Sequence, residues 1–146
     1  MKILVDADSC PKKATMILIE LASLYNVSLL AISSFNHQID GVEKIIVGNE
    51  PQAADIALIN KTSKGDIVVT QDWGLASLVL SKGASCVATN GYIYSKERID
   101  FMLEERHIKA KIRKGGGRTK GPAPRSNEDD ERFRKNLESL LRITNE

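Results

Sequence analysis

Five short apolar runs interrupt the first ninety residues: ILV at 3–5, VSLLAIS at 27–33, VEKIIVG at 42–48, IVVT at 67–70 and ASCVAT at 84–89. Each is too short for a helix and carries Val or Ile among small or apolar residues, as buried strands do. Most are separated by segments of helical period. Alternation of this kind dictates parallel βαβ units sharing one sheet with helices packed on it. The expected fold is therefore α/β, a three-layer sandwich around a mainly parallel sheet.

The connecting helices can be read in turn. After the first strand (2–6), Asp8 or Ser9 is placed to cap a helix, with Pro11 in its first turn. Ala14, Ile17, Leu18, Leu21 and Leu24 form its core stripe, widened by Met16 and Ile19. Further helices are expected over 51–64 with a proline start, over 73–82 ending at Gly83, and over 95–106. The fourth strand reads as 66–70. The second and third strands are joined by a loop holding Asn36, Asp40 and Gly41, with no full helix between them.

The last forty residues differ in character. From Arg106 to Asn127 there are eight Lys or Arg and no acids, which leaves thirteen basic against nineteen acidic residues elsewhere, a net of −6. Residues 1–106 read as the α/β domain. Residues 107–146 read as a basic Gly/Pro arm, centred on KGGGRTKGPAP, followed by a C-terminal helix that packs on the same domain through Phe133, Leu137, Leu140 and Leu141. A basic arm on an acidic body points to a polyanionic partner, and a solvated loop is the plain alternative. With no apolar run of about 18 residues, no membrane span is expected, and a cytoplasmic location is the natural reading. Cys10 and Cys86 make no disulfide framework.

In open α/β sheets ligands bind beyond the carboxyl ends of the strands. Asp6 ends the first strand and Asp72 follows the fourth. Asp55 lies in the first turns of the helix leading into that fourth strand, and a helix start faces the same end of the sheet. With Asp8, four carboxylates can share one cleft. Crowded carboxylates need a cation to stay charged, and hard oxygen donors without a His or Cys cluster suit Mg²⁺ or Mn²⁺. The plain alternatives are a helix cap for Asp8 and a solvent-facing position for Asp55. Asp66 sits at the opposite end and reads as structural, and Trp73 as core or rim.

VDADSCP at the start, AADIALI at 53–59, GDIVVTQDWGLA at 65–76, KGA at 82–84 and GRTKGPAP at 117–124 resemble the YaiI/YqxD family of small bacterial proteins. That family is grouped with PIN-like domains, many of them metal-dependent nucleases. The resemblance implies a PIN-like fold with Asp6, Asp55 and Asp72 as the catalytic and metal-ligating acids. Asp8 is a family-specific extra ligand; Thr70 and Ser9, the latter where family members usually have Ala, are read as supporting residues. It implies a Mg²⁺- or Mn²⁺-dependent phosphodiesterase acting on RNA; the charge of the arm, not the resemblance, suggests that Lys109, Lys111, Arg113, Lys114, Arg118 and Lys120 hold the nucleic-acid backbone. Two competing readings stand beside it. One is a haloacid-dehalogenase-type phosphatase using the Asp-x-Asp form of DADSC, Asp6 as nucleophile and Asp8 as general acid. The other is a non-catalytic RNA-binding protein.

Overall fold

The computed structural model describes residues 1–34, 42–48, 50, 52–114 and 124–144. In chain order its elements are β1 (Lys2–Asp6), a 3₁₀ turn (Ala7–Ser9), α1 (Lys12–Leu24), β2 (Ser28–Ser33), β3 (Glu43–Ile46), α2 (Ala53–Lys61), β4 (Ile67–Val69), α3 (Trp73–Ser81), β5 (Ser85–Val87), α4 (Lys96–Lys114) and α5 (Asn127–Thr144). The strands form one sheet in the order β3-β2-β1-β4-β5, every neighbouring pair parallel. The chain winds outward from β1 to β3, returns to place β4 against the free side of β1, and continues to β5. The winding reverses between β1 and β4, and that is the topological switch point.

Strand periodicity sorts the core into two layers. Ile3, Val5, Leu29, Ala31, Ile67, Val69 and Val87 point to one face, where α1 and α5 cover them. Leu4, Leu30, Ile32, Val68 and Cys86 point to the other, beneath α2, α3 and the start of α4. Both faces are buried, which is why these strands read as continuous apolar runs instead of alternating ones. Helix α5 completes the first layer with Phe133, Leu137 and Leu141, all fully buried. Truncating a Phe so placed costs about 3–5 kcal/mol. Gly91 makes this docking possible. Its φ is +93°, and a Cβ there would stand 2.6 Å from the Arg132 carbonyl carbon.

Several boundaries differ from the sequence reading. Neither Asp8 nor Ser9 caps α1: both lie in the 3₁₀ turn, Pro11 occupies the cap position, and no side chain bonds there. In α1, Ala14, Ile17, Leu18 and Leu21 are buried as expected, but Leu24 and Met16 are exposed because the helix contacts the sheet along one stripe only. The described part of α2 is shorter than 51–64, and Pro51 lies outside the described residues. The largest difference is α4. It does not stop at Arg106 but continues to Lys114. Residues 107–114 contain no Gly or Pro, and their basic side chains suit the negative end of a helix. Among the described residues no helix is long and apolar enough to cross a membrane.

Candidate functional site

Asp6 is the last residue of β1 and shares the parity of Leu4, so it leaves the sheet on the α2/α3 side. Asp72 lies beyond β4, the neighbour of β1. It is the N-cap of α3: its Oδ1 accepts from the Leu75 amide at 3.2 Å, while its own amide donates to Thr70 Oγ1 at 3.1 Å. Thr70 is buried and fixes the turn that aims Asp72. Asp55 occupies the first turn of α2. Both helices run antiparallel to the strands, so their positive N-terminal ends approach the same three acids.

Three adjoining hollows meet at these residues. One, of about 620 Å³, is lined by Asp6, Ser9, Gln71, Asp72, Trp73 and Arg106. A second, about 280 Å³, has Asp6, Asp8, Ser34, Glu50, Gln52 and Asp55 in its wall. The third, about 490 Å³, lies between α2 and α3 and includes Asp55, Asp72, Ile56, Asn60 and Leu78. Each of Asp6, Asp55 and Asp72 thus stands between two hollows, and together they mark one acidic junction. Their fields overlap. Burial, then the charge of Asp55, then those of Asp8 and Asp72 push the Asp6 carboxyl above its ordinary range, against one stabilising hydrogen bond from Ser9 Oγ at 3.3 Å. Burial and the charge of Asp72 likewise raise Asp55.

Asp8 is differently employed. Its carboxylate accepts from Ser33 Oγ at 2.8 Å, from the Ser34 amide at 2.9 Å and from Ser34 Oγ at 2.6 Å. It ties the turn after β1 to the end of β2 instead of capping α1, and it borders the same hollow as Asp6 and Asp55. Cys10 is a packing residue of the α1 layer whose thiol is raised chiefly by burial.

Of the basic segment, Arg106 is exposed and lines the hollow that Asp6 and Asp72 also border. Lys109, Lys111 and Lys114 lie on later turns of α4, and Lys109 pairs with Glu105 at 3.3 Å. Arg113 is on the same helix, while Arg118 and Lys120 lie outside the described residues. Arg125 is structural: its Nε donates to Asp130 at 2.6 Å and its Nη1 to the Thr89 carbonyl at 2.6 Å. Sequence reading missed Arg106 as a site residue, although it follows the buried Ile99 by seven positions and so repeats that residue's face. It also missed Gln52, which caps α2 in a left-handed conformation (φ 65°) and lines two of the three hollows. Trp73 is half-buried on the rim.

Among the described residues, no three carboxylate, imidazole or thiol groups stand close enough to ligate one ion together. The donor set still fits Mg²⁺ or Mn²⁺. Mg²⁺ keeps several waters and takes only one or two protein carboxylates, and the junction offers hard oxygens whose mutual repulsion a cation would relieve.

Fold and site together define a doubly wound α/β domain with an acidic junction at its switch point. The chain belongs to the uncharacterized YaiI/YqxD family, whose model matches residues 4–143. Similar proteins named "UPF0178 protein" occur in Heliobacterium modesticaldum (46% identical over 145 residues, 99% of each chain), Clostridium tetani (43% over 143 residues, 97% of each) and Alkaliphilus metalliredigens (42% over 144 residues, 97% of this chain and 92% of the other). No solved structure matches the chain.

Proposed function

We propose that this protein is a divalent-metal-dependent phosphodiesterase acting on RNA, in the manner of PIN-like nucleases. One observation carries the reading: three aspartates from three separate elements border adjoining hollows at the switch point, and one of those hollows also holds Arg106. Asp6, Asp55 and Asp72 would hold Mg²⁺ or Mn²⁺, in part through water. Bound there, such an ion activates a water and neutralises charge developing on a phosphate. Arg106 supplies the cation that draws a phosphodiester toward an otherwise repelling acidic surface. Thr70 and Leu75 hold Asp72 in place, and Ser9 does the same for Asp6.

Asp8 supports this reading over the phosphatase. Ser33 and Ser34 engage its carboxylate and tie it to the end of β2, where a general acid would have to stay free to meet a leaving group. The test is cleavage of a fluorescent single-stranded RNA with Mg²⁺, Mn²⁺ or chelator. Cleavage is expected with metal, and is expected to be lost with chelator and in folded Asp6→Asn and Asp72→Asn. Phosphatase activity that spares RNA would instead favour the haloacid-dehalogenase reading, and RNA binding without turnover under any metal the non-catalytic one.

A further inference from the structure

Among the described residues α4 is buried only at Ile99, and Leu103, near the same side, is 47% exposed. Ile99 is 4% exposed in the α2/α3 layer, and Arg106, on the same face, lines the acidic hollow. At about 100° per residue, Phe101, Ile108 and Ile112 fall within about 40° of one another on the opposite, outward face. They are 68%, 51% and 44% exposed. Three large apolar side chains spaced by seven and four line one face, with Glu104 and Glu105 at the turn between Phe101 and Ile108.

The flanks of the stripe say what covers it. Glu104 and Lys111 lie along one side, Glu105 and Lys109 along the other. Between Phe101 and Ile112 the acid precedes the base on both flanks, and Arg98, on the Glu105 flank, lies before that span. Laid antiparallel on a second copy, about a two-fold axis between Arg106 and His107, the helix sets Phe101 on Ile112 of the other copy. In the same register Glu104 meets Lys111 and Glu105 meets Lys109. All flank pairs are then opposite in sign. A parallel pairing would set Glu104 on Glu104 and Lys111 on Lys111. A polyanion would meet two glutamates at the centre of the stripe.

We propose that α4 is a self-association surface and that two copies of this chain pair through it as antiparallel helices. The stripe supplies the affinity, and the flanking charges set orientation and register. A helix of 19 residues spans about 28 Å, so the interface falls at the small end of stable protein contacts and the dimer is expected to be of micromolar affinity. Arg106 lies at the acidic hollow on each copy, so the pairing leaves both acidic junctions open.

The test is sedimentation velocity on the full chain up to about 100 µM, above the dissociation constant expected of such an interface. The wild type should dimerise, and Ile108→Glu should weaken the dimer by about 30-fold or more, as loss of a central apolar anchor does. The doubles Glu104→Lys/Glu105→Lys and Lys109→Glu/Lys111→Glu should each be monomeric alone and form a heterodimer when mixed. Circular dichroism checks that the helix survives. Should Ile108→Glu lose helicity, the mixing experiment decides. A monomeric wild type, a dimer indifferent to Ile108→Glu in a folded variant, or a mixture that stays monomeric would each overturn the proposal.

Discussion

Asp6 and Asp66 flank neighbouring strands of the same sheet and face opposite fates. Asp66 precedes β4 at the amino end and is 2% exposed. It accepts from the Lys2 amide at 3.1 Å and the Ser63 amide at 2.8 Å, and pairs with Lys2 Nζ at 2.7 Å. Asp6, at the carboxyl end, is less buried but has one hydroxyl donor, Ser9, against the charges of Asp8, Asp55 and Asp72. Burial alone does not distinguish a structural aspartate from a reactive one. The sign of the neighbours does: donors and a lysine at one end, carboxylates at the other.

The comparison breaks most sharply on activity. Asp6→Asn should lower metal-dependent RNA cleavage by about 10²–10³-fold, the scale of losing one preorganised charge-stabilising group, with the fold intact by circular dichroism. Asp66→Asn should leave cleavage per folded molecule unchanged. On stability the order reverses. Asp66→Ala strands Lys2 and two backbone donors and should cost about 2–4 kcal/mol in urea titration. A result below about 0.5 kcal/mol would sink the view of Asp66 as an anchor.

Asp8 tests whether position at the carboxyl end is enough. Asp8→Ala should lower stability by about 1–2 kcal/mol through the end of β2, yet reduce cleavage by less than about tenfold. A loss as large as that of Asp6→Asn would return Asp8 to the metal site.

The pH response separates the two ends more gently. Asp6 and Asp55 are raised above the ordinary carboxyl value of 3.8, so between that value and the raised ones the folded state holds more protons than the unfolded state. In chelator, stability contributed by these groups is fully present below that window and is lost as pH rises through it. Asp6→Asn removes part of this loss. Its melting temperature minus that of the wild type should therefore grow as pH increases from about 4 to 7, and Mg²⁺ should narrow the gap by stabilising the wild type alone. A difference flat with pH would mean the crowding of charge is not felt. The smallest expected effect is that of Arg106→Ala. It should weaken RNA binding and make the log–log salt dependence shallower by about one unit, the signature of one lost phosphate contact.

Much of this architecture is legible in the sequence. The apolar runs locate β1, β2, β4 and β5 because both faces of the sheet are buried there, and a run such as Ile67–Val69 has nowhere else to go; β3, a partly exposed edge strand, is marked by Ile45, Ile46 and Val47. Asp6 and Asp72 follow from them, since a charge that ends a buried strand must emerge at the sheet's rim. Phe133, Leu137 and Leu141 announce the buried face of α5 by spacing alone. What failed was local competition. Gly115 to Gly117 and the prolines after them drew the boundary of the arm too early, while the helix-forming residues up to Lys114 kept α4 intact. Asp8 carried a cap signal, but the chain gave it Ser33 and Ser34, twenty-five and twenty-six positions away.

The sequence by itself determined which segments are strands and helices, most of the buried stripes of α1 and α5, and that Asp6 and Asp72 stand at one end of a sheet. Those properties depend on the period of each segment and on burial, which neighbours in the chain encode. Only the tertiary structure decided that β4 lies beside β1, that Asp55 shares the junction while Asp8 is bound into β2, and that Arg106 lines the acidic hollow while Phe101, Ile108 and Ile112 of the same helix turn out. Each of these depends on what stands across a gap in space, and the field felt by a carboxylate is set by the charges and donors around it and not by its place in the chain.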